Sequence, residues 1–143
     1  MRILDANVII YSFTEPSRNI NPKTLENMKN AINIMERLRK GNETVYITSI
    51  QISETLNLIE SSTNTETSIR VQKFLLDNPF IKIIEITHID MINAHQIVKQ
   101  YRSNKIGFND AIAYIGMLKT MCTEIYTFDK HFDIFPEIKR IEK

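Results

Sequence analysis

The sequence predicts an α/β protein, a three-layer α/β/α sandwich around a central, mostly parallel five-stranded sheet. Three observations carry this expectation. Five short runs, "RIL", "TVYIT", "IKIIEI", "EIYTF" and "IKRIE", are rich in β-branched or aromatic residues, as strands are. The first four are separated by segments of helical period, and such alternation implies parallel strands joined by right-handed crossovers, with helices on both faces. Only three Gly and four Pro are available to break helices. A chain of 143 residues supports one substantial core and is short for two, so residues 1–143 are expected to form a single domain.

In chain order, "RIL" is the first strand and residues 6–13 the first helix, stopped by the Pro/Asn/Ser loop at 14–22. Residues 23–40 put Leu25, Met28, Ile32, Met35 and Leu38 on one helical face, closed by Gly41. A strand at 44–48 leads into a helix at 49–61, then the polar stretch "SSTNTET" and a helix at 65–77 that stops before Pro79. After a strand at 81–86, Thr87 is placed to cap a helix over 88–103. Gly107 separates it from a helix over 108–121, where Phe108, Ala111, Ile112, Ile115 and Leu118 keep helical spacing. Strands at 124–128 and 138–142 complete the sheet.

Composition excludes some functions and is silent on others. Hydrophobic residues at 43% and charged residues at 24% suit a globular protein, and a net charge of +1 argues neither for nor against nucleic acid. Cys122 is the only cysteine, which rules out an internal disulfide framework or a thiolate zinc site and fits a reducing, cytoplasmic setting. The first strand starts too early to leave room for a signal peptide, and no apolar run approaches the ~20 residues that span a bilayer, so no membrane association is expected.

The acids are oddly placed. Asp5 interrupts the apolar run "RILDANVII" at a strand end, where ligands bind in open parallel sheets. Glu54 is the only charge between Ser49 and Ile59, with Ile50 and Leu58 on its helical face. Asp110 lies in the first turn of an apolar helix, and Asp129 ends a strand, with Asp133 four residues later. Each has a bland explanation as a cap or a dipole partner. Together, four of six aspartates and an isolated glutamate fall on what should be one rim of the sheet.

Four motifs, "LDANVII" (4–10), "SIQISETLN" (49–57), "NDAIA" (109–113) and "TFDKHFD" (127–133), resemble those of the PIN-domain ribonucleases, above all the VapC toxins of toxin–antitoxin pairs. The resemblance runs the length of the chain. It implies a five-stranded parallel sheet, an endoribonuclease activity, a small cognate antitoxin and a homodimer. By it, Asp5, Glu54, Asp110 and Asp129 match the acidic metal-binding residues and Asp133 a further acid. Asn7 matches the polar residue that steadies the first aspartate, expected here through a direct hydrogen bond. Thr127 matches the hydroxyl residue before the last strand-end acid, and Asn109 stands beside Asp110 in a supporting place.

Hard oxygen donors without Cys or a His cluster suit Mg²⁺ or Mn²⁺ rather than zinc. Two such ions about 3.5–4 Å apart can activate a water, relieve charge on the phosphorane and support the leaving oxygen. Without metal, the acids would repel RNA phosphate. Other candidates carry less. His131 is expected to be solvated in its loop, His95 to pack within a helix, His88 to lie near a helix start, and Cys122 to be a small buried hydrophobe. The basic residues Arg37, Arg39, Lys40, Lys99, Arg102 and Lys105 form no stripe that dictates an RNA path. Rival readings are a housekeeping PIN nuclease without an antitoxin and a degenerate PIN domain that binds without cutting; the full set of acids argues against the latter. An aspartyl-phosphate phosphatase is excluded, because it needs a second aspartate where Asn7 stands.

Overall fold

The computed structural model describes all residues, Met1–Lys143. Five strands, β1 (Arg2–Leu4), β2 (Val45–Thr48), β3 (Ile81–Ile84), β4 (Glu124–Tyr126) and β5 (Lys139–Ile141), form one sheet in the order β3-β2-β1-β4-β5. Every neighbouring pair is parallel. Six helices flank it: α1 (Ala6–Phe13), α2 (Pro22–Arg39), α3 (Ser49–Ser62), α4 (Thr65–Asp77), α5 (His88–Gln100) and α6 (Phe108–Thr120). The expected α/β/α sandwich with its five-stranded sheet is therefore present, and the sheet is parallel throughout.

Strand alternation divides the core. Leu4, Val45, Ile47 and Tyr126 point to one face and pack with Val8 and Ile9 of α1 and Ala31, Ile34 and Leu38 of α2. Ile3 and Ile125 point to the other and meet Ala113 and Met117 of α6 with Phe132 and Phe135. A third cluster, Ala94 with Ala111, Ile112 and Ile115, seals α5 onto α6. Sheet residues buried on both sides read as continuous apolar runs.

Local chemistry sets the helix starts. Asn21 accepts the Thr24 N–H at 2.8 Å and Pro22 occupies the first helical turn of α2. Thr48 and Gln51 form a reciprocal capping box on α3, and Thr87 and Asp90 another on α5. The strand expected over 81–86 ends at Ile84, because the Ile86 N–H turns out of the ladder to donate to Ser49 Oγ. The helix expected to 103 ends at Gln100 and gives way to a 3-10 turn, Arg102–Asn104, with Lys105 at φ 55° reversing the chain so that α6 can return along α5.

Four side-chain expectations change. Ile32 is 52% exposed, and Ile34 takes the buried place beside Ala31 and Leu38. On α6 the middle, Ala111–Met117, is buried almost all round because it lies between the sheet and α5, so Phe108 and Leu118 at its ends emerge to solvent. His95 is exposed rather than packed, and Cys122 is only half-buried.

At Gly116 α6 lies against side chains of β1, β2 and β3. A Cβ there would lie 2.8 Å from the Thr48 methyl, inside van der Waals contact. Gly116→Ala is expected to lower stability by about 1–3 kcal/mol, the usual scale of overpacking. Chemical denaturation of variant and wild type checks this, and an unchanged midpoint would show that the helix shifts freely.

Candidate active site

The strand order reverses direction at β1: the chain moves outward through β2 and β3 on one side, and through β4 and β5 on the other. Such a switch point leaves a crevice beyond the strand C-termini, between β1 and β4. Asp5 follows β1, and Thr127 and Asp129 follow β4.

Asp5 is 6% exposed. It caps α1, its Oδ1 accepting the Ala6 N–H at 2.8 Å. The same oxygen accepts Gln51 Nε2–H at 3.1 Å, and Oδ2 accepts the Thr127 hydroxyl at 2.6 Å. Burial pushes the Asp5 carboxyl up to about 7; Asp110 and Glu54 add repulsion, while Thr127 and Gln51 oppose the rise by hydrogen bonding.

Asn7 does not touch Asp5 as expected. Its Nδ2 donates to Thr127 Oγ1 at 3.1 Å, and its Oδ1 accepts the Phe128 N–H at 3.3 Å. The Asp129 N–H also donates to Thr127 Oγ1, at 3.0 Å. With two donors directed at it, the Thr127 hydroxyl has its own hydrogen free for Asp5. Asn7 therefore steadies Asp5 through Thr127, its side chain reaching the segment after β4 instead of the carboxylate.

Gln51, which the sequence reading passed over, is the second support. It is fully buried, and its Oε1 accepts both the Thr48 N–H at 3.2 Å and the Thr48 hydroxyl at 3.1 Å. With the oxygen engaged at the helix cap, the amide nitrogen is aimed at Asp5. The string "TSIQ" carries the capping-box signature that signals this residue.

Glu54 follows on α3, half-buried, and borders a groove of about 400 Å³ lined also by Ile50, Ser53, Asn57, Leu58 and Asn109. Its apolar neighbour Leu58 is 45% exposed, so the glutamate stands at a rim rather than within a core. Asp110, in the first turn of α6, is pushed up to about 6 by burial first and then by Asp129 and Glu54; a backbone hydrogen bond at Gly107 and the His131 charge pull the other way. Asp129 caps the 3-10 turn Lys130–Ile134, its Oδ1 accepting the His131 N–H at 2.8 Å.

His131, expected to be a solvated loop residue, is half-exposed but folds back onto the site. Its Nδ1 lies 2.9 Å from Asp129 Oδ1, and ligand atoms of Asp110, Asp129 and His131 all fall within 4.8 Å of one another. Asp133 is held elsewhere: Arg140 of β5 grips it with Nε–Oδ1 at 3.0 Å and Nη2–Oδ2 at 3.4 Å.

The charge pattern separates the site aspartates from the other three aspartates. Asp77 pairs with Lys73, Asp90 with Lys119 and Asp133 with Arg140. Asp5, Glu54 and Asp110 make no ion pair, and Asp129 has only His131. Four carboxylates thus share one crevice with no Lys or Arg among them. Carboxylates that repel one another, one of them buried, could hold a cation.

The PIN domain family model matches residues 2–138. The chain belongs to the PIN domain family. Among solved structures, VapC20 of Mycobacterium tuberculosis, described as a Sarcin-Ricin loop cleaving toxin, superposes with a TM-score of 0.80 at 13% identity, covering 100% of each chain. VapBC2 from Rickettsia felis, bound to a DNA fragment from its promoter, gives a TM-score of 0.65 at 20% identity, covering 98% of this chain and 96% of the other. At such identities the likeness shows a common fold. No curated protein sequence matches significantly.

The donor set of this PIN domain fits a divalent cation. Carboxylate oxygens from three helix or turn starts and one helix interior converge, and no Lys or Arg of the chain pairs with them.

The raised carboxyls fix a pH response. A group whose folded pKa lies above its unfolded value stabilises the fold fully below the unfolded pKa, and that contribution is lost as pH rises through the folded value. Asp5 rises from 3.8 to about 7 and Asp110 from 3.8 to about 6. The metal-free protein is therefore expected to lose melting temperature between about pH 4 and 7, and Asp5→Asn should flatten that slope. Thermal melts in chelator across this range check it; a slope that is unchanged in the variant refutes the assignment.

Proposed function

We propose that this protein is a divalent-metal-dependent endoribonuclease, the toxin of a VapBC-type module. One observation carries the reading: the four carboxylates Asp5, Glu54, Asp110 and Asp129 meet without a Lys or Arg partner in the crevice between β1 and β4. Membership of the PIN domain family supports it.

Mg²⁺ or Mn²⁺ bound among these acids would supply an activated water and offset negative charge on the scissile phosphodiester. The chain's own residues do the rest. Asp5 is the central ligand in this reading, fixed through Gln51 on one oxygen and Thr127 on the other, so little reorganisation is needed when the ion arrives. Asp110 and Asp129 hold the outer side of the crevice, and Glu54 the side facing the groove. In that groove the Asn57 and Asn109 amides offer uncharged donors and acceptors, and Ile50 and Leu58 apolar surface, a combination suited to an RNA strand with splayed bases.

Asp5→Asn and Asp110→Asn are each expected to reduce cleavage of a structured RNA by at least about a hundredfold, the scale of losing a ligand that positions a catalytic metal, and chelator should do the same to wild type. Gel-resolved cleavage of purified protein reads this out. Wild type that cuts equally well in chelator removes the metal from the reaction.

The reading includes a small antitoxin and a homodimer. A shallow groove of about 300 Å³ between the end of α1, α2 and α4 is lined by Phe13, Ile32, Met35 and Phe74 with Arg39 and Arg70 at its edge. It suits an apolar segment of a small partner with an acid placed for Arg70, since Arg39 is paired with Glu36 of the same groove. On α5, Ile89 and Ile92 are 68% and 48% exposed, one turn apart, and supply apolar surface for a second copy. Induced expression is expected to arrest growth, and co-expression of the small gene next to this one should relieve it in wild type but fail with Ile32→Glu. Arrest that persists despite a stable complex with that product favours a housekeeping nuclease.

A further inference from the structure

We propose that His131 is a metal ligand, and that it makes the centre a mixed nitrogen–oxygen site selective for Mn²⁺ over Mg²⁺. The inference rests on the metal-dependent reading above and adds to it the identity of the ion.

The geometry comes from a local device. Asp129 accepts the His131 N–H at 2.8 Å, and the 3-10 turn that follows carries the imidazole back over the carboxylate instead of out from the loop. Nδ1 then stands 2.9 Å from Asp129 Oδ1. Two donors that are adjacent on an octahedral ion with bonds of about 2.1 Å lie roughly 3 Å apart, √2 times the bond length. The contact thus already has the spacing of a chelating pair. Asp110 closes the set, with one ligand atom from each of the three residues lying within 4.8 Å of the others.

No other side chain competes for the ring. The only side-chain partner of His131 is Asp129, and Phe132 beside it is fully buried and anchors the turn in the core. His88 and His95, the other two histidines, lie on α5 and are exposed.

Ligand chemistry then decides the ion. Mg²⁺ favours oxygen donors and retains water, whereas imidazole suits first-row transition metals. Four of the five groups at the crevice (Asp5, Glu54, Asp110 and Asp129) offer carboxylate oxygens, and His131 adds a single imidazole. One nitrogen among carboxylates matches Mn²⁺, which takes both donor types, and is too few for a zinc site of the usual kind.

The test uses the full chain and the metal ions alone. Pulsed electron paramagnetic resonance of the Mn²⁺-loaded protein is expected to show ¹⁴N coupling from a directly bound imidazole. The coupling should vanish in His131→Ala and His131→Gln and persist in His95→Ala. Calorimetric titration should show the ratio of Mn²⁺ to Mg²⁺ affinity falling by about tenfold in both His131 variants, whereas Asp110→Asn weakens both ions. Mn²⁺ that binds wild type without nitrogen coupling, or a ratio preserved in His131→Gln, overturns the inference and leaves the nuclease reading standing. Absence of Mn²⁺ and Mg²⁺ binding by wild type overturns both.

Discussion

The carboxylate of Asp5 is buried at the end of the central strand with no cation beside it, and much of the molecule is arranged around that fact. Desolvating a charge costs several kcal/mol unless hydrogen bonds or a counter-ion compensate. Here three elements contribute to the compensation. The start of α1 offers the Ala6 N–H, α3 the Gln51 amide, and the segment after β4 the Thr127 hydroxyl, while the Asp5 N–H extends the ladder to Tyr126. These bonds are charge-assisted and tie together parts of the chain separated by 46 and 122 residues. They still leave Asp5 a poor anion, its carboxyl raised to about 7. The protein thus holds a group in place without fully satisfying its charge, a form of strain that belongs to functional sites.

The same crevice shows why three further acids matter although none is as buried. Asp110 is raised mainly by burial and then by its acidic neighbours. Acids elsewhere in the chain have ordinary structural employment: Asp90 completes a capping box and meets Lys119, Glu43 is gripped by Arg2, Arg37 and Tyr126, and Asp133 is engaged by Arg140. What distinguishes the site is that acids without a Lys or Arg partner lie close enough to repel one another. A cluster of like charges lowers stability unless something outside the chain pairs with it, so a cation bound there would stabilise the fold.

The sheet makes this convergence possible. With β1 central and the chain leaving it in opposite directions, the crevice opens between β1 and β4, so residues 5 and 127–131 become neighbours. The approach of α6 to the sheet at Gly116, against the Thr48 methyl, then brings Asp110 toward the capping box whose Gln51 reaches Asp5. Packing on one face of the sheet and polar support on its edge are one construction.

The strand and helix order, the five-stranded sheet and the odd placement of Asp5, Glu54, Asp110 and Asp129 were legible in the sequence, because periodicity, caps and an acid in an apolar run are local signals. Asn7 and Thr127 were legible as polar neighbours, but their connection was not: whether Asn7 reaches Asp5 or Thr127 depends on the direction of α1 relative to β4. Gln51 had a local signal for its oxygen, the capping box, and none for its amide, whose partner is 46 residues away. The partner of Asp133 and the fold-back of His131 were likewise decided by β5 and by the 3-10 turn. Residue types and their periods determine which elements form and which acids lack a local reason. Which of those acids share a crevice, and which find a cation, is settled only when the parallel crossovers bring distant strand ends together, since charge and hydrogen bonding act over a few ångströms of space and not along the chain.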